Sequence, residues 1–447
     1  MVNKVRRYDI DWLRVLALGL LVIYHIAVIF QPWAHYIYFI QSERPIEIIW
    51  LLMGLINIWR IPLLFIISGM GVCFAIGRRD WKGLLKDRTK RILLPLIFGS
   101  FCIVPIHNHI YQKFNQLEHA YWPNPGHLWF LNNIFIYVLL LCPVFFYIKK
   151  DPNNILFRSL KKAMKFPGLL YLFTIPFIIE AELVSPEHFS NYANTAHGFW
   201  LGLLAFCAGF IFISIGDEFW YAVEKLKIFS LVIAISLFLV RMILFQSEGP
   251  LFLTVVESWS WLFTVFGFGA TYLNRSSGTL RYLSQAVYPV YILHMIFMNL
   301  GAFMILTQPT KVDMVTQVFH IETGSPAQEA GLLAGDQITN AEALKSVKNS
   351  NVLLSVHREE TILEITIAPR DGYTGAHLSP IPLFVPMFAP SDISAFRAFI
   401  DLILVIIITF AGSLLCYEFI IKRVKWLSPF FLSLIHISEP TRPLYIS

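Results

Sequence analysis

Apolar stretches long enough to cross about 30 Å of hydrocarbon recur along most of the chain. Ten of them lie near 13–31, 50–76, 92–107, 128–148, 167–185, 197–216, 228–246, 251–273, 283–307 and 396–421, the third being short for a crossing. The polar connections between them differ in charge. The N-terminus, the connections at 77–91, 149–166, 217–227 and 274–282, and the tail after 421 hold most of the Lys and Arg. The other short connections hold only Arg44 and Lys113. Basic residues favour cytoplasmic loops, so both termini are expected on the cytoplasmic side. The first run continues past signal-peptide length without a small-residue cleavage site, so it is expected to be a retained span.

Segment 308–395 breaks this pattern. It is polar, and strings such as VLLSVHRE and ILEITIAP alternate apolar and polar residues as half-buried strands do. It follows an odd-numbered span and is expected outside the cytoplasm. Its string GSPAQEAGLLAGDQI resembles the second strand, helix and following turn of a PDZ domain of the bacterial protease type. The peptide-carboxylate loop of such domains is not evident, and the stretch after Asp336 lacks their Asn-Gly hairpin. The resemblance implies a small PDZ-like insert over 312–375 and a protein or peptide partner held by strand addition.

Composition agrees with the pattern. The chain is 56% hydrophobic and 14% charged, against roughly 25% charged in soluble domains. The fold class expected is an all-α polytopic membrane protein of about ten transmembrane helices with a small extracytoplasmic β-rich insert. The lipid bilayer is then its first partner. The net charge of +6 follows from the basic loops and does not argue for nucleic acid. All five cysteines fall in apolar runs and read as buried thiols rather than a disulfide framework. No cysteine pair has metal-ligand spacing, and no metal is expected.

The chemistry is concentrated in a few ionisable groups inside these runs, where such groups are costly and functional by default. His25 lies in the first run, eleven residues after Arg14. On a helix that spacing rises roughly 16 Å and turns about 20° past three full turns, so the two share a stripe. His294 sits inside the ninth run, and His127 opens the fourth. Arg241 and Glu257 lie in neighbouring runs and read as a mutual ion pair.

Five strings in order resemble the acyltransferase-3 family of multispanning membrane acyltransferases, and most closely its glucan- and polysaccharide-modifying members. They are YDIDWLRVLALGLLVIYH, RIPLLFIISGM, KDRTKRILLPLIFG, GHLWFLNNIFIY and YPVYILH. The resemblance covers a core of residues 8–307 and the final span, 396–425. It implies transfer of an acyl group, acetyl or succinyl, from cytoplasmic acyl-CoA (acetyl-CoA foremost) to a hydroxyl of an extracytoplasmic glycan at a bacterial inner membrane. It also implies a catalytic role for His25 with Arg14, and CoA binding by the Arg-x-x-Arg pair Arg88 and Arg91. Asp11, Ser68, His127 and His294 are further candidates.

Acyl transfer from a thioester to an alcohol needs a base and a stabiliser of the developing oxyanion. Neutral imidazole suits the first need, and guanidinium forks suit CoA phosphates. Each residue also has a structural reading. Arg14 is then an interface anchor, Arg88 and Arg91 are loop charge, Asp11 is a helix cap, and Ser68 with Gly69 lets helices approach. Two other functions fit the composition less well. A glycan transporter or flippase would be expected to show related halves, and none is evident. A membrane scaffold recruiting a partner would leave the intramembrane histidines without purpose. A site-2 protease needs an HExxH string, which is missing from the sequence.

The last stretch, LSLIHISEPTR and onward, resembles a translated sequencing-library adapter. Residues 432–447 are expected to be such an artefact, and His436 is not a candidate.

Overall fold

The structure is a computed structural model that describes residues 6–151, 154–307, 313–344, 350–358, 361–383 and 394–431. The adapter-like stretch 432–447 lies outside these residues. Among the described residues, ten helices are long and apolar enough to cross a membrane. They are α1 (Tyr8–Ile29), α2 (Ile49–Ile76), α3 (Trp81–Phe114), α4 (Gly126–Lys150), α5 (Pro167–Val184), α6 (Ala196–Ile215), α7 (Asp217–Leu244), α8 (Leu251–Leu273), α9 (Gly278–Ile305) and α10 (Ala395–Ile421). This is the expected all-α membrane class with a small sheet near the C-terminus.

The third crossing differs from expectation. It is a 34-residue helical segment rather than a short run. The Asp80 carboxylate accepts the Gly83 N–H at 2.9 Å and starts the helix inside the basic stretch. Arg88 and Arg91 therefore stand on a helix, and the connection at 77–91 is helical from Trp81 onward. Two π-helical turns, Thr89–Leu93 and Gly99–Ile103, interrupt α3 just before Pro95 and Pro105. Proline cannot donate to the carbonyl four residues back, and a widened turn absorbs the mismatch. The Arg91 carbonyl, which Pro95 cannot reach, accepts the Tyr288 hydroxyl at 3.1 Å instead.

Pro62 does the same inside α2. It frees the Ile58 carbonyl, which accepts the hydroxyls of Ser258 at 2.8 Å and Tyr192 at 3.1 Å. These bonds tie α2 to α8 and to the segment before α6. Close approach of α2 to α6 depends on glycine. A Cβ on Gly69 would lie 1.9 Å from the Phe206 carbonyl oxygen, and one on Gly209 would lie 1.9 Å from that of Ile66. The helix-approach reading of Gly69 is thereby met.

The connection 30–48 folds back over the end of α1. Ser42 N–H donates to the Ile29 carbonyl and Ile46 N–H to that of Phe30, both at 2.8 Å. Phe30, Ala34 and Ile40 are fully buried, and Phe30 and Ile40 pack with Met298 and Ala302 of α9 and Val405 of α10.

Between α9 and α10 lies a five-stranded antiparallel sheet of order β4-β3-β2-β1-β5. Its strands are β1 (Asp313–Ile321), β2 (Gln337–Ile338), β3 (Val352–Arg358), β4 (Thr361–Ile367) and β5 (Ala376–Leu383). β3 and β4 are the two strings read as alternating strands. β5 pairs with β1 and continues to Leu383, beyond the 312–375 range expected for the insert. A separate core of Val318, Ala327, Leu332, Ile338, Leu354 and Ile367, among others, fills the sheet's inner face. The turn at Gly335-Asp336 is locked by Asp336, which accepts the Leu333 N–H and holds Arg358 in a bidentate pair at 2.7 Å.

Candidate functional site

The structure brings His25 and His294 together across 269 residues of chain. His25 Nδ1 and His294 Nε2 are 2.8 Å apart, with the two rings 3° from parallel. The direction of this hydrogen bond follows from the next one. His294 Nδ1 lies 2.7 Å from the Tyr291 carbonyl. A carbonyl only accepts, so Nδ1 of His294 carries the proton. In a neutral ring that leaves Nε2 as an acceptor. His25 must then donate from Nδ1, and its own Nε2 keeps a lone pair. His294 is fully buried, whereas His25 is only partly so. Phe39 of the folded-back connection lies against His25, with ring centroids 5.8 Å apart.

Two more histidines stand beside this pair. His127, in the first turn of α4, packs edge-on to His294 at 5.1 Å. Its Nε2 donates to the Ile292 carbonyl at 3.1 Å, and its Nδ1 is buried with no partner. Tyr291 returns a bond by donating to the His127 carbonyl at 2.7 Å. His127 is thus packed against α9. His107 of α3 lies 5.6 Å from His127, ring to ring, and its Nδ1 is also buried and unpartnered. Bare ring nitrogens of this kind are acceptors for a hydroxyl donor. Among the described residues, no group of three or more His, Cys, Asp or Glu converges as a metal-ligand set.

Toward the N-terminal end of α1, a narrow cavity is lined by Arg14 and Leu18 of α1, Ser68 of α2, Phe130 of α4, and Tyr288 and Tyr291 of α9. Arg14 is buried. It pairs with Asp11 at 3.2 Å and reaches the Ser284 carbonyl at 3.4 Å. Asp11 also takes Arg6 at 3.1 Å. The N-cap of α1 is Arg7, so Asp11 is no helix cap; it holds Arg14. The Ser68 hydroxyl is committed to the Leu64 carbonyl at 2.8 Å, so it lines the cavity with its proton already placed.

Arg88 is buried in α3 and reaches the Gly71 carbonyl at 3.4 Å. Arg91 is held by Asp87 at 2.8 Å, and Arg79 meets the same carboxylate at 3.3 Å. Through the bond from Tyr288 to the Arg91 carbonyl, this basic cluster adjoins the Arg14 cavity. The line therefore runs from Arg88 and Arg91, past Tyr288 and Arg14, to Tyr291, His294 and His25.

Sequence reasoning missed Arg60. It stands in α2 with 2% of its surface exposed. Its guanidinium lies over the Tyr24 ring, 4.1 Å from the centroid, and Nη2 donates to Asn57 Oδ1 at 3.1 Å. Its Nε and Nη1 have no partner. The signal was available: a charge inside an apolar run is costly. The residue was read only as the start of the string RIPLLFIISGM. His107, at the end of the third apolar run, was missed as well. The expected ion pair of Arg241 and Glu257 is present, bidentate at 2.7 and 3.0 Å.

Comparisons with known proteins add one finding. A family model described as an acyltransferase domain matches residues 7–318. No curated protein and no solved structure matches the chain. The matched stretch contains α1 to α9 and every residue of the histidine cluster, while α10 and most of the sheet lie beyond it. The chain belongs to the acyltransferase-3 family of membrane acyltransferases.

Proposed function

We propose that this membrane acyltransferase moves an acetyl or succinyl group from cytoplasmic acyl-CoA to a hydroxyl of an extracytoplasmic glycan. The observation that carries the reading is the chain of bonds from His25 through His294 to the Tyr291 carbonyl, which leaves His25 Nε2 free to act as a base. His25 Nε2 takes the proton of the acceptor hydroxyl. The acceptor oxygen bonds to the thioester carbon, and the carbonyl pair moves onto oxygen. Collapse of that intermediate breaks the carbon–sulfur bond, and the departing thiolate takes the proton back from His25. A two-step route through an acyl-imidazole would use the same nitrogen. His294 is a positioning residue that keeps His25 in the productive tautomer, as the carboxylate does in a hydrolase triad.

The donor enters, on this reading, from the side where most Lys and Arg lie. Arg88 and Arg91 face the CoA phosphates, with Arg14 deeper along the pantetheine path. The acceptor arrives from the opposite side, at an inner membrane with both termini cytoplasmic. The sheet between α9 and α10 is then extracytoplasmic, and its PDZ-like sequence suits recruitment of a protein or peptide partner.

The test is His25→Ala in a host lacking the activity, with acyl esters on surface glycans measured by mass spectrometry. Loss of esters by about 10²–10⁴-fold at normal membrane levels is expected. Unchanged acylation overturns the assignment. Deleting the whole sheet, 313–383, tests the insert separately, with acceptor choice as the readout.

A further inference from the structure

Arg60 carries an unbalanced charge. Buried cations in a membrane helix normally face a partner, and other buried arginines of this bundle do so: Arg14 has Asp11 and Arg241 has Glu257. Among the described residues, Arg60 has no carboxylate at ion-pair distance. Its polar contacts are the neutral Asn57 amide and the face of Tyr24. Two N–H donors, Nε and Nη1, point into buried space without an acceptor. A site that holds a bare cation in place is built for an anion that comes and goes.

The backbone around Arg60 is also held in place. Pro62 opens the helix two residues later, and the freed Ile58 carbonyl is fixed by Ser258 and Tyr192. The guanidinium is sandwiched between Tyr24 and Asn57, one helical turn back. Tyr24, whose ring the guanidinium covers, precedes His25, with ring centroids 5.8 Å apart. A polar pocket lined by Trp50, Asn57, Ser190, Arg241 and Glu248 adjoins this segment through Asn57. Arg60 does not line it. A fixed anion on a substrate in that pocket would meet the paired Arg241 before it met Arg60.

We propose that Arg60 is a catalytic residue of the acyl transfer, donating from Nε and Nη1 to the thioester oxygen as it becomes an oxyanion. This rests on the reading of His25 as the base. The proton moves to His25 Nε2, the new carbon–oxygen bond forms, and the carbonyl electron pair settles on an oxygen already facing two charged donors. No reorganisation is needed at that moment, which is why preorganised donors are effective. The charge disperses when the carbon–sulfur bond breaks, and Arg60 returns to its uncompensated state.

The experiment uses membranes containing the full chain and the host's own acceptor, with acetyl-CoA as the varied probe and release of CoA thiol as the readout. Arg60→Lys keeps the charge but loses the fork. Arg60→Met keeps bulk without charge. Rates are normalised to folded protein recovered in detergent. Each variant is expected to lower the maximal rate by about 10²–10³-fold while KM for acetyl-CoA moves less than about threefold, a split that a purely structural role would not produce. A maximal rate within about threefold of wild type in both variants overturns the proposal. So does a raised KM at unchanged maximal rate, which would make Arg60 a binder of a fixed substrate charge. His25→Ala in the same membranes separates the two readings. If it keeps the wild-type rate, the base assignment falls. If it abolishes release while Arg60→Lys does not, the Arg60 proposal falls alone.

Discussion

Arg241 and Arg60 are two buried arginines in neighbouring parts of one helix bundle, and their surroundings are opposites. Arg241 meets both oxygens of Glu257, and its remaining N–H groups reach the carbonyls of Gly54 at 2.9 Å and Ser247 at 3.2 Å. Its donors are used and its charge is cancelled. Arg60 uses one donor on a neutral amide and leaves two in buried space. The same contrast separates the histidines. His197 is bonded at both ring nitrogens, to Glu180 at 3.0 Å and the Phe189 carbonyl at 2.9 Å, whereas His25, His107 and His127 each keep a nitrogen without a protein donor or acceptor. A saturated cluster holds helices together and has nothing left to offer a substrate. An unsaturated one costs stability and keeps its capacity for bonding.

The comparison can be broken in three places. The largest effect is expected at the saturated end. Glu257→Ala leaves Arg241 buried and unpaired and is expected to cost about 3–5 kcal/mol of stability, read from thermal unfolding in detergent. Transfer per folded molecule should stay within about threefold. Normal stability, or loss of turnover in folded protein, would erase the distinction between the two arginines. Next is His294→Phe, which removes the acceptor for His25 Nδ1 and with it the tautomer lock. Acyl transfer is expected to fall by about 10²-fold at unchanged membrane levels, and full activity would show that His25 needs no partner. The smallest effect is Tyr192→Phe. It removes one of the two hydroxyls on the Ile58 carbonyl, for a loss of about 1 kcal/mol. A much larger loss of rate than of stability would mean that the Pro62 region transmits its geometry to Arg60.

Much of the molecule was legible in the chain. Helix ends matched the apolar runs to within a few residues except where charged residues extend a helix below the apolar stretch. That exception hid the true length of α3, because the stretch around Lys82 and Lys86 reads as a loop by hydropathy and as a helix by its Asp80 cap. α7 was lengthened for the same reason, starting at Asp217 with two acidic residues that suit its first turn. Among the candidates, His25 and His294 were each conspicuous alone. Their bond was not, since no local pattern links residues so far apart. The cap reading of Asp11 fails because Arg7 takes the cap position, and Asp11 pairs with Arg14 instead. Arg60 shows the opposite failure, a signal present in the chain and absorbed into a motif.

The sequence by itself determined how many segments are long and apolar enough to cross a bilayer, which connections carry positive charge, and which ionisable groups lie inside the apolar segments. Those properties follow from the length and polarity of single segments measured against a hydrocarbon slab. Only the tertiary structure decided which of those groups satisfy one another and which are left open. That outcome depends on whether atoms from different helices come within hydrogen-bond distance, and it is set by glycine contacts, proline-freed carbonyls and the folded-back connection over His25, none of which has a one-dimensional signature.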